Sequence, residues 1–93
     1  MDNYVIRAKV LYALARKRKW GESHTAFEHV LRQFKAESLG KAGFKNAKNI
    51  AEDLMREGFI IKKPTSYGLQ VSLNPVRAAD IKRLIQEQLG FDV

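Results

Sequence analysis

The chain has 93 residues and no cysteine, and 17 Lys and Arg stand against 10 Asp and Glu for a formal charge of +7. A chain of this length holds one hydrophobic core, so a single domain over residues 1–93 is expected, and an apolar share of 45% is that of a folded protein and not of a disordered tail. The composition excludes disulfides, thiolate zinc sites and cysteine nucleophiles, while so large a positive excess on a small surface points to a polyanionic partner.

The start, Met1-Asp2-Asn3-Tyr4, lacks the basic and then apolar run of a secretion signal, and no stretch approaches the ~20 apolar residues of a membrane span. The expectation is a cytoplasmic protein with no membrane partner. From Tyr4 to Lys19, Ile6, Val10, Leu11 and Leu14 recur at helical spacing, which predicts helix one, closed by Trp20-Gly21. Thr25-Ala26-Phe27-Glu28 fits a capping box, with Ser23 as an alternative cap. Phe27, Val30, Leu31 and Phe34 then share one face of a short helix two that ends near Lys35.

Ala36 to Gly40 reads as a connection, and helix three is expected from near Lys41 to Gly58 on the spacing of Ala47, Ile50, Ala51, Leu54 and Met55. Period two follows. Phe59 to Lys63 is an apolar run turning basic, Pro64 to Gly68 is turn chemistry, and Leu69, Val71 and Leu73 alternate with Gln70 and Ser72, which predicts a β-hairpin with one buried face. Pro64 is expected to preset the turn and Gly68 to take a positive φ. Asn74-Pro75 caps a fourth helix over 75–89, carrying Ile81, Leu84, Ile85 and Leu89 and ended by Gly90. The class is therefore mainly α with a small β-hairpin, an α+β fold.

Helix, helix, helix, hairpin is similar to the winged helix-turn-helix superfamily over residues 4–74. Asn46 to Leu73 resembles its recognition helix and wing, and Leu54-Met55-Arg56-Glu57-Gly58-Phe59-Ile60 resembles its passage from third helix into first wing strand. Lys63-Pro64-Thr65-Ser66-Tyr67-Gly68-Leu69 also resembles segments of small archaeal proteins of that fold. The resemblance implies a three-helix core plus wing, with helix four as an extra C-terminal element. It also implies DNA binding, as in a transcriptional regulator. The connection between helices two and three is expected to be longer than the three or four residues of a plain helix-turn-helix.

A helix about 10–12 Å wide fits the major groove of B-form DNA, where its outward side chains meet base edges and flanking cations meet phosphates. With Ala47, Ile50, Ala51 and Leu54 turned inward, Lys45, Asn49, Glu52 and Arg56 turn outward, with Lys41, Asn46 and Lys48 on the flanks. Lys41, Lys45 and Lys48 suit phosphates, Asn46 or Asn49 a two-bond contact with adenine, and Arg56 guanine or phosphate. Lys62 and Lys63 precede the hairpin turn, and Thr65, Ser66 and Tyr67 there can donate hydrogen bonds. Arg16-Lys17-Arg18-Lys19 is the densest charge run and reads as a cationic helix end that offsets the helix dipole.

Neither metal nor cofactor is expected, because His24 and His29 are five apart with no third ligand near them. Asp53 and Glu57 share a helix face with Arg56 and Lys48 as ion-pair partners, and neither a phosphate loop nor a nucleophile elbow occurs, so the chain is not expected to be an enzyme. Sequence reading thus leads to a duplex-DNA-binding regulator, with a homodimer through helices one and four suggested by the apolar stripe of helix four. The alternatives are a protein-interaction module, supported by Glu52 and Asp53, and RNA binding.

Overall fold

Asp2 begins the first helix by accepting the Tyr4 backbone N–H at 2.7 Å, an N-cap that satisfies a donor the helix itself leaves unpaired. A computed structural model of the chain describes residues 2–36 and 40–93, with side chains described for 2–34 and 42–93. Helix α1 spans Asn3–Ala15, and Ile6, Ala8, Val10, Leu11, Ala13, Leu14 and Ala15 are all buried. Positions so close in sequence cannot share one stripe, so α1 is enclosed on several sides and forms the centre of the fold.

The helix ends four residues before the expected Lys19. The Lys19 N–H donates to the Leu14 carbonyl (3.0 Å) and the Arg18 N–H to Ala15 (2.9 Å), which closes the end with Arg18 at φ 55°. That paired pattern requires a left-handed residue, ordinarily glycine. Arg18 holds it at the expense of Cβ crowding. Replacing Arg18 with Gly is therefore expected to raise stability by about 0.5–1 kcal/mol, since left-handed strain exceeds the entropy glycine adds to the unfolded chain. Urea unfolding at constant m-value checks this.

Past the turn, Lys19 to Gly21 runs beside the end of the sheet: the Leu73 N–H donates to Lys19 (2.7 Å) and the Gly21 N–H to Leu73 (2.9 Å). Strand β1 is only Thr25–Ala26, pairing antiparallel with Val71 and Gln70. Thr25 thus belongs to a strand and does not cap a helix. Helix α2 follows at once over Phe27–Ala36, and α3 runs over Gly40–Arg56. The connection expected at 36–40, and its length, fall on residues 37–39, which lie outside the described residues.

Gly58 at φ 82° closes α3 in the same way, with Gly58 N–H to Met55 (3.2 Å) and Phe59 N–H to Leu54 (2.9 Å). The chain then enters β2, Ile60–Thr65, which returns as β3, Gly68–Leu73, in the strand order β1-β3-β2. Among the described residues, four α-helices and a three-stranded antiparallel sheet make a mixed α+β fold, with one more strand than the hairpin foreseen. Asn74 caps a turn of 3-10 helix at Pro75–Arg77 by accepting the Val76 N–H (3.1 Å), and α4 spans Ala78–Leu89, ended by Gly90 at φ 73°.

Helix α4 packs on α1, burying Ile81 and Ile85 completely in the cluster that holds Leu11, Leu14, Phe34, Leu54 and Leu73. Leu84 and Leu89 pack at its edge. The stripe that suggested a two-fold interface is thus largely used inside the chain. No helix among the described residues is long and apolar enough to cross a membrane.

Candidate nucleic-acid interface

Inward residues of α3 determine what its outer face offers. Ala47, Ala51 and Leu54 are fully buried, and Ile50 nearly so, which turns the opposite stripe to solvent. Lys45, Lys48 and Asn49 are exposed there, and none has a side-chain partner among the described residues. Lys41 lies on α3 outside the described side chains. Asn46 is half-buried and turned toward α1, where its amide donates to the Asn3 carbonyl oxygen of the side chain at 3.2 Å. Of the two candidate asparagines, Asn49 alone keeps its amide for a ligand.

The carboxylates of α3 are paired differently from expectation in one case. Asp53 takes Arg56, as the one-turn spacing allows. Glu57 takes Arg7 of α1 and not Lys48, accepting both guanidinium nitrogens at 2.7 and 3.3 Å. Arg56 is therefore partly neutralised, and the free positive charge of α3 sits in its N-terminal half.

Strand alternation separates the two hairpin lysines. Lys62 pairs with Val71, which is buried, so Lys62 rises from the core-facing side of the sheet; Lys63 pairs with Gln70 on the other side. Lys62, Arg56 and Glu52 consequently line one hollow of about 270 Å3 between α3 and the hairpin, floored by Phe27, Met55 and Leu69. Lys63 points away from it.

Ser66 and Tyr67 form the hairpin tip with negative φ, and Gly68 at φ 114° absorbs the reversal that follows. Pro64 does not preset this turn. It lies within β2 opposite Leu69, on an edge strand where a missing N–H is tolerated. Thr65 is occupied in closing the tip, its hydroxyl donating to the Gly68 carbonyl (2.7 Å) and accepting the Tyr67 N–H (3.2 Å). Tyr67 is 95% exposed and projects from the end of the hairpin.

What holds the hairpin against α3 is a clamp with no signature in the sequence. Phe59, at the entry to β2, lies between two guanidinium groups, Arg77 at 4.1 Å and Arg7 at 5.8 Å from the ring centre. Arg77 also donates to the Glu57 carbonyl (3.0 Å), placing a cation on the negative end of α3, and the Asn74 amide donates to Gly58 (2.9 Å). Segments some fifty residues apart meet here, which no local spacing can announce.

Lys45, Lys48, Asn49, Arg56 and Lys62 thus share one side of the molecule, whereas Asn46, Thr65 and Lys63 are diverted. Helix α4 packs chiefly on α1, leaving the outer face of α3 uncovered. No protein family, curated protein or solved structure compared with the chain matches it.

Proposed function

We propose that the chain is a winged helix-turn-helix domain that binds duplex DNA, with α3 in the major groove and the hairpin beside it, and that it acts as a regulator of transcription. The order α1-β1-α2-α3-β2-β3, with β3 central in the sheet, supports the fold reading. The observation that carries the DNA reading is the meeting of cations from two segments: Lys62 of β2 lines the same hollow as Arg56 of α3, beside the open stripe of Lys45, Lys48 and Asn49. Phosphate contacts from the lysines position such a helix, and an unengaged amide on its outer face reads a base edge.

The test is affinity for duplex DNA measured across salt concentration. Log K falls with log salt by about 0.9 per phosphate neutralised, so Lys45→Ala with Lys62→Ala is expected to flatten the slope by about two units. Lys63→Ala is expected to leave it nearly unchanged. Asn49→Ala is expected to alter the preferred sequence, at about 1–3 kcal/mol of discrimination. A slope unaffected by the double substitution removes the reading.

Glu52 on the wall of the hollow supports a second reading, a module that docks a protein through the same face. Binding to a protein without a salt trend, and none to DNA or RNA, is the outcome that favours it. A homodimer through α1 and α4 would have to form on exposed apolar residues such as Tyr4 of α1 and Phe91 and Val93 just past α4.

A further inference from the structure

The four cations that follow α1 are not explained by the face just described. Arg16, Lys17 and Arg18 are exposed, and Arg16 to Lys19 have no ion-pair partner among the described residues. Offsetting the dipole of α1 needs one or two charges in the last turn, yet all four lie beyond Ala15, the last residue of the helix. Arg18 in addition keeps a charged side chain at a positive φ that glycine would occupy without strain. Backbone strain held at one exposed cation is an observation about use, because the fold itself would be better served without it.

The turn does not stand alone. Arg16 and Arg18 line a hollow of about 310 Å3 together with Trp20 and with Lys82 of α4, whose ammonium lies 6.0 Å from the indole centre. Asp92 is on its wall, one acidic side chain against three basic ones. The segment is tied to Leu73, the end of β3 opposite the hairpin tip. Asn46 of α3 is bonded to Asn3 at the start of α1, and the 13 residues of that helix put its far end roughly 20 Å away, beyond the ~10 Å over which exposed charges act on each other at 0.1 M salt. Lys62 is nearer, since its partner Val71 is two residues from Leu73, so it is the lysines in the N-terminal half of α3 that are electrostatically independent of this turn.

We propose that Arg16–Lys19 and Lys82 form a second surface for the sugar-phosphate backbone of duplex DNA, so that one copy of the chain holds two duplex segments at once. The first segment rests on the reading of α3 and the hairpin given above; the second does not. Closely spaced, unpaired cations with no free amide among them neutralise phosphates without reading bases, so this surface is indifferent to sequence.

The experiment mixes two short duplexes of about 20 bp, one carrying a fluorescence donor and the other an acceptor, with the full chain, and follows energy transfer alongside sedimentation stoichiometry. The parent is expected to give a complex of one chain with two duplexes. Arg16→Gln with Lys17→Gln and Lys19→Gln is expected to lower the transfer about tenfold while affinity for the first duplex changes by less than about threefold. Arg18→Gly provides a variant whose folding is not at risk, and is expected to weaken bridging several-fold at an unchanged or higher melting temperature.

The variant with Lys45→Ala and Lys62→Ala separates the two claims. If it binds and bridges as the parent does while the triple variant fails to bridge, the assignment of α3 is lost and this surface stands. Bridging by the triple variant at the parent's level overturns the proposal, as does a parent that takes up only one duplex at saturation or bridges only as a dimer.

Discussion

Ile81→Ala combined with Ile85→Ala is expected to lower the free energy of unfolding by about 4–8 kcal/mol, on the usual ~2–5 for each large-to-small change in a packed core. Both side chains are completely buried against α1. They lie one helical turn apart and share neighbours, so the two losses are not strictly additive. Globular proteins hold about 0.05–0.15 kcal/mol per residue, or roughly 5–14 for a chain of this size. The double variant is therefore expected to be largely unfolded at 37 °C, with loss of near-ultraviolet signal. Retention of a cooperative transition with the parent's midpoint would show that α4 is dispensable.

Phe59→Ala is expected to cost about 3–5 kcal/mol, and Phe59→Leu under about 1.5. The ring is 9% exposed and lies between Arg7 and Arg77, so truncation removes apolar burial and leaves two guanidinium groups facing a void. The Arg7 Nε is already buried without a hydrogen-bond partner among the described residues, which makes the site intolerant of further loss. Phe59 also sets where β2 leaves α3, so Phe59→Ala is expected to raise the exchange rates of the Gly58 to Lys62 amides before global unfolding. Equal midpoints for the alanine and leucine variants in urea would exclude the clamp.

Much of this fold is legible in local pattern, and the exceptions have physical causes. Gly58 and Gly90 mark helix ends because a left-handed residue is needed there, and Asn74-Pro75 marks a start because its side chain and missing donor both suit one. Arg18 performs the same duty as those glycines without resembling them, which is why α1 reads four residues too long. Strand β1 is invisible for another reason. Two residues carry no period, and Thr25 and Ala26 become a strand only because β3 offers them an edge.

The candidate interface divides along the same line. The outer stripe of α3 follows from its apolar spacing, and Lys45, Lys48, Asn49 and Arg56 fall where a 100° step puts them. Long-range partners do not follow: Asn46 is taken by Asn3, Glu57 by Arg7, and Arg77 reaches the end of α3 from the far side of the hairpin. Lys62 and Lys63 look equivalent as neighbours in sequence, but pleating sends them to opposite faces.

The placement of Pro64 and the two lysines on β2 has a bearing on how the protein behaves at high concentration. Strand β2 is an outer strand, and its unpaired backbone is a template on which another copy can add a strand. Proline withholds a donor near the tip end of that rim, and the adjacent ammonium groups repel an identical rim brought alongside. At the other rim the two-residue length of β1 leaves almost nothing to copy. The sheet is in this way guarded at both borders against growth into fibrils.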